Sequence, residues 1–149
     1  MNEISLRIMT RDLCHQLYKS WENDPSIYMD MNSFSTYQYD ENAVNKYFDT
    51  KQNPLCILFA IMKGEKPIGE LQLKQINMTS KECTLSIHLQ NDMVKGKGYG
   101  THAEQLAIQY AFDVLGMVVV NADTIAKNTR SQRVLEKVGF HFIREEKRI

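Results

Sequence analysis

The stretch Lys95-Gly96-Lys97-Gly98-Tyr99-Gly100 is where residue type and spacing most directly imply chemistry. Glycine accepts backbone angles that a Cβ forbids, so three alternating glycines let successive N–H groups turn toward one point. A helix beginning near Thr101 would add about half a positive charge there, and Lys95 and Lys97 would add whole ones. That is a cradle for a phosphate or an oxyanion. Three readings fit the loop to different degrees. It can be a plain strand-to-helix turn, though three glycines exceed what a turn needs. Gly98-x-Gly100-x-x-Ala103 also fits a dinucleotide fingerprint, with Asp123 roughly twenty residues on. A nucleotide P-loop needs G-x-x-x-x-G-K-[ST], which the chain lacks.

The elements around the loop narrow the choice. Ile4, Leu6 and Ile8 alternate as a half-buried strand. Thr10 precedes a helix carrying Leu13, Leu17 and Trp21 on one face, ended by Asp24-Pro25. Residues 26–39 read as irregular, and Asp40 or Glu41 opens a second helix through Val44 and Phe48. Cys56 to Met62 is strand-like. Pro67 to Ile76 alternates, with Leu71, Leu73 and Gln75 on one side and Glu70, Gln72 and Lys74 on the other. Glu82 to Leu89 alternates again, Cys83, Leu85, Ile87 and Leu89 inward. Short turns between these runs predict an antiparallel meander. After the glycines, Ala103, Leu106, Ala107, Tyr110, Ala111 and Val114 form a helical stripe stopped by Gly116. Val118 to Val120 is a strand, Asn128 opens a last helix with Gly139 as its cap, and Phe140 to Ile143 starts a final strand. The order predicts an α+β fold: a mixed, mostly antiparallel central sheet flanked by helices, with one parallel crossover. A dinucleotide domain would instead place its glycine motif in the first of several crossovers.

Composition sets the outer bounds. At 149 residues, 43% apolar and 24% charged, residues 1–149 read as a single soluble globular domain. Eighteen basic and eighteen acidic side chains cancel, which gives no reason to expect nucleic acid or an anionic membrane as partner. Cys14, Cys56 and Cys83 are scattered and odd in number, against both a disulfide framework and a zinc site. The start has no basic-then-apolar signal region and no run reaches membrane-spanning length, so the expected location is cytoplasmic.

Together the motifs resemble a family. Lys95 to Thr101 is similar to the coenzyme signature [QR]-x-x-G-x-[GA] of the GNAT acetyltransferases, with Lys95 in place of arginine or glutamine. Asn128 to Phe140 resembles that family's N-x-x-[AS]…E-K-x-G-F segment. Ile87-His88-Leu89 and Tyr110-Ala111-Phe112 are similar to the branch that includes ribosomal-protein N-acetyltransferases. The resemblance implies an acetyl-CoA-dependent N-acetyltransferase without a metal, acting on a primary amine such as a small cationic amine or a protein N-terminus. It implies that backbone around Leu89, Gln90 and Val94 pairs with the pantetheine. The N–H groups of Lys95, Gly96, Lys97, Gly98, Tyr99, Gly100 and Thr101 would take the pyrophosphate. Asn128 would bond near the thiol end, and Arg130 belongs to a basic run suited to the phosphates.

Proton handling departs from the pattern. The tyrosine that many relatives use as an acid is Leu135 here, which leaves Ser131 as the candidate. The glutamate common in this branch is Thr84, which leaves His88, Glu70 and Glu82, all on polar-facing strand positions, as candidate bases. His88 has the suitable ordinary pKa. These departures also motivate an alternative, a non-catalytic acyl-CoA-binding or regulatory module. On the acceptor side, Glu22, Asp24, Asp30, Asp40, Glu41 and Asp49 interleave with Trp21, Tyr28, Phe34, Tyr37, Tyr39 and Tyr47. Carboxylates among aromatic faces suit a cationic amine. Relatives follow Gly-Phe with two strands where this chain supplies one, and the exposed edge predicts a homodimer.

Overall fold

The alternating runs become strands and the apolar stripes become helices. The computed structural model describes residues 4–21, 38–89, 98–122 and 129–141, the side chains of Thr129, Arg130 and Ser131 excepted. Among these residues the order is β1 (Ile4–Ile8), α1 (Arg11–Lys19), α2 (Glu41–Thr50), β2 (Ile57–Lys63), β3 (Lys66–Asn77), β4 (Glu82–Leu89), α3 (Tyr99–Asp113), β5 (Val119–Ala122) and α4 (Thr129–Lys137). The five strands form one sheet in the order β1-β2-β3-β4-β5. The first three pairings are antiparallel and β4–β5 is parallel. This is the expected α+β mixed sheet with flanking helices.

Strand alternation sends two sets of side chains to opposite faces. Phe59, Ile61, Leu71, Leu73 and Leu85 point one way, into a core completed by Ala103, Ala107 and Ala111 of α3. The alanines let the helix axis approach the sheet closely. Leu58, Ala60 and Met62 point the other way, under Cys14 and Leu17 of α1 and Val44 of α2. Glu70 and Gln72 lie on this second face, and both are buried there.

Local chemistry sets the helix ends. The Thr10 side chain accepts from the Leu13 N–H at 3.1 Å, and Asp40 accepts from Asn42 and Ala43 at 2.9 and 3.3 Å. Each cap satisfies orphan donors of a first turn. The first helix is shorter than its apolar stripe suggested. It closes at Ser20, and Trp21 lies just beyond, its ring 4.9 Å from that of Tyr18. Gly139 has φ +107, and Phe140 N–H bonds back to Leu135 C=O at 3.0 Å, so the expected glycine cap closes α4. The expected final strand from Phe140 falls mostly outside the described residues.

One facing differs from the sequence pattern. Gln75 does not share a side with Leu71 and Leu73, because β3 bulges there: Gln75 has φ +52 and the register shifts between Lys74 and Asn77. The extra residue hands the core position to Ile76. Gln75 turns to the opposite face, where its Oε1 accepts from the Thr84 hydroxyl at 3.1 Å.

Candidate active site

Among the described residues, only the first half of β4 is paired on both sides. Among them the parallel partner β5 pairs with Glu82 to Leu85, through Val119 to Ala122. Ser86 to Leu89 continue β4 with β3 on one side and no described strand on the other. Gly69 holds the opposite side unusually close: a Cβ there would lie 2.6 Å from the His88 carbonyl oxygen and 3.2 Å from Leu89 Cα. Leu89 in turn reaches toward Gly100, whose missing Cβ would sit 3.8 Å from Leu89 Cδ1 and 3.9 Å from Val134 Cγ1. One leucine thus ties β3, β4 and the first turn of α3 together.

The helix begins two residues earlier than the glycine spacing suggested. Gly98 is its N-cap in the left-handed region (φ 81, ψ 2), and no side chain caps it. The first helical bond runs from His102 N–H to Gly98 C=O at 3.1 Å. The N–H groups of Tyr99, Gly100 and Thr101 therefore have no partner inside the helix. They could hold a phosphate at the positive end of the α3 dipole, beside the Leu89 end of β4. Gly98 is required by its backbone angle. Gly100 is ordinary helix, and a methyl there would find normal van der Waals contacts. The Tyr99 ring is held by Lys63, whose Nζ lies 5.3 Å from its centroid. Gln90, Val94, Lys95, Gly96, Lys97 and Asn128 lie outside the described residues. Arg130 and Ser131 stand in the first turn of α4, with side chains outside the description.

The sheet face under α1 and α2 carries a polar cluster that no short spacing announced. Glu70 is 3% exposed. The Tyr47 hydroxyl lies 2.7 and 2.8 Å from its two oxygens, one proton serving both. Gln72 Nε2 donates to Tyr47 Oη at 3.1 Å, and the Cys56 thiol reaches Gln72 Oε1 at 3.8 Å. Tyr18 joins from α1, its ring edge-on to that of Tyr47 with centroids 5.7 Å apart. Burial first, then the negative charge of Glu70, pushes both phenols far above their ordinary range. Across the ladder, Glu70 opposes His88, Gln72 opposes Ser86 and Lys74 opposes Thr84. His88 is exposed. Glu82 pairs at the hairpin end of β4, six residues and roughly 20 Å from His88. The structure brings Glu70 and His88 together and leaves Glu82 apart.

With this geometry in view, residues 3–141 match the family model for the acetyltransferase (GNAT) domain. The chain belongs to the GNAT acetyltransferase family. A 77-residue stretch is 34% identical to YjcK of Bacillus subtilis strain 168, named as a probable N-acetyltransferase. That match covers 52% of this GNAT chain and 42% of YjcK, so it spans less than half of the curated relative. Spermidine N-acetyltransferase from Vibrio cholerae, solved in complex with CoA and spermine, superposes with a TM-score of 0.74 at 17% identity. The superposition covers 92% of this chain and 80% of that one. The dodecameric structure of the Vibrio enzyme in an intermediate state gives 0.68 at 18% identity, over 93% and 80%. At such identities the likeness concerns the fold. These matches establish the family and not its ribosomal-protein branch.

Within the GNAT frame, part of the expected acidic wall has local employment. Asp40 caps α2, and Asp49 binds Arg11 Nη2 at 2.6 Å. Glu22, Asp24, Asp30, Tyr28, Phe34 and Tyr37 lie outside the described residues. Arg11 Nη1 also donates to Asn45 Oδ1 at 2.9 Å, and His15 Nε2 lies 2.8 Å from the same oxygen. An oxygen accepts, so Nε2 carries hydrogen; His15 Nδ1 then meets the Tyr39 hydroxyl at 2.6 Å. These bonds lock α1 to α2 beside an open hollow of about 470 Å³ lined by Asp12, His15, Gln16, Lys19, Tyr39 and Glu41.

Proposed function

We propose that this GNAT domain moves the acetyl group of acetyl-CoA to a primary amine by direct attack of the amine on the thioester. The observation that carries the reading is the placing of Ser86 to Leu89, which among the described strands pair with β3 alone, with the N–H groups of Tyr99 to Thr101 that the helix itself leaves unmatched. A pantetheine arm carries amides that suit a strand edge, and a pyrophosphate suits a helix start. In this reading the backbone at Leu89, Gln90 and Val94 receives the arm. Lys95, Gly96 and Lys97, with Gly98 to Thr101, receive the pyrophosphate. Asn128 and Arg130 complete the coenzyme contacts.

The amine nitrogen forms a bond to the thioester carbon, the oxyanion is stabilised by backbone N–H groups at this stretch of β4, and the C–S bond then breaks. The amine proton goes to His88, the exposed one of the two candidate bases that the ladder brings together, and the thiolate takes a proton from Ser131 or from water. The reactive amine approaches from the α1/α2 face, where the carboxylates Asp12 and Glu41 line an open hollow and favour a cation.

The test is release of free thiol from acetyl-CoA over polyamines, aminoglycosides, amino acids and peptides. Turnover of at least one class is expected. Saturable acetyl-CoA binding with silence across the panel would overturn catalysis and favour the non-catalytic acyl-CoA-binding module, which Leu135 and the hydrogen-bonded Thr84 motivate. A melting temperature raised by NAD(P)H and not by acetyl-CoA would overturn the coenzyme assignment itself.

A further inference from the structure

Glu70 is a buried acid that no lysine or arginine pairs with among the described residues. Facing it are Tyr18 and Cys14 from α1, Tyr47 from α2 and Cys56 at the entry to β2. All are neutral near pH 7, since burial pushes each phenol and thiol upward, Cys14 to about 12. Its neighbour on β2 is Ala60, whose side chain carries no polar atom. The ion pairs among described residues join Arg7 to Glu65 and Arg11 to Asp49, not any cation to Glu70. Lys51 sits instead over the Tyr47 ring, 5.4 Å from its centroid. Lys74 is four residues along β3, roughly 13 Å away. A buried carboxylate held only by neutral donors is costly, and a neighbouring positive charge offsets that cost.

The ladder supplies a group that can become positive. His88 is the direct cross-strand partner of Glu70 on the same sheet face, and opposed residues have Cβ atoms about 4.5–5.5 Å apart. The two differ in access: Glu70 is sealed beneath Tyr47, while His88 is exposed. Glu70 therefore cannot meet an incoming amine, and His88 can.

We propose that His88 and Glu70 act as one unit, with His88 taking the proton of the acceptor amine and Glu70 serving as a positioning residue that stabilises the imidazolium. Tyr47 and Gln72 hold the carboxylate in place for this. As the amine nitrogen bonds to the thioester carbon, its proton passes to the neutral imidazole. The acetyl group leaves sulfur, and the imidazolium later returns its proton to solvent. This role rests on the proposed acetyl transfer, but the coupling between the two side chains does not need turnover to be seen.

The experiment is an NMR titration of the His88 ring in the wild type, Glu70→Gln and Tyr47→Phe, paired with pH–rate profiles for any amine that is turned over. Glu70→Gln is expected to lower the His88 midpoint by about one pH unit, the low end for an opposite charge at this range because His88 is exposed. The acid limb of kcat should move by the same amount with KM for acetyl-CoA unchanged. Tyr47→Phe removes a donor from the carboxylate and should move the midpoint the other way, which general damage to the fold would not do. His88→Gln should abolish the limb. An unchanged His88 midpoint in both folded variants would overturn the coupling, even in an active enzyme. A shifted midpoint without turnover would uphold the coupling and overturn only the acetyl-transfer reading.

Discussion

Replacing Glu104 with glutamine should make the domain's stability less sensitive to alkaline pH. Glu104 lies on α3 with no exposed surface, and among the described residues neither carboxyl oxygen has a hydrogen-bond partner. Burial alone pushes its pKa from 4.5 up to about 8. An acid whose pKa is raised by folding holds its proton more tightly when folded than when unfolded. Its stabilising proton is fully present below the unfolded pKa, and stability falls as pH rises toward the folded value. Between about pH 5 and pH 8 the linkage amounts to roughly 3–4 kcal/mol, using 1.36 kcal/mol per pH unit over the window in which only the unfolded chain is ionised. For a domain of this size that corresponds to a melting shift on the order of 10 °C. The assay is urea or thermal unfolding of wild type and Glu104→Gln at both pH values and matched ionic strength. Every other titrating group is common to the two chains and cancels in the difference. The wild type should lose stability relative to the variant as pH rises. Parallel stability curves would refute the assignment of Glu104 as a buried, proton-holding acid.

The glycines of the cradle should separate in mutation. Gly98→Ala is expected to cost about 1–2 kcal/mol from its positive φ and to weaken acetyl-CoA binding, whereas Gly100→Ala should change melting and affinity little; calorimetric titration of both variants checks this. Gly69→Ala forces a methyl to within 2.6 Å of the His88 carbonyl, so it should cost about 1–3 kcal/mol and raise KM for acetyl-CoA, read by unfolding and initial rates. Asn45→Ala removes the oxygen shared by Arg11 and His15 and should cost about 1 kcal/mol in urea unfolding, without changing coenzyme affinity.

The sequence pattern revealed the frame and the cradle because both are written in local signals. Alternation placed β4 at its observed ends and sent Glu70 and His88 to one face, and Gly139 announced the end of α4. What it obscured depends on long-range contact. The Gln75 bulge inverts one stretch of alternation, and no residue count predicts an inserted residue. The bond between Tyr47 and Glu70 spans 23 positions and exists only once α2 lies on the sheet. Glu104 lies beside the stripe of Ala103, Leu106, Ala107, Tyr110 and Ala111 and is not part of it, so as an acid it reads as solvent-facing until packing buries it. Asp40 and Asp49 looked like part of a cation wall, yet each satisfies a partner on a neighbouring turn or helix. Ser131, Asn128 and the first lysines of the loop remain assigned by motif alone.

The central claim is that acetyl-CoA lies along the second half of β4 with its pyrophosphate on the first turn of α3. An amide-resolved NMR titration with acetyl-CoA tests it most directly. The largest saturable shifts should fall on the N–H groups of Tyr99, Gly100 and Thr101, with a second set along Ser86 to Leu89. Saturable binding that leaves those amides unmoved, or no binding at all, would contradict the account.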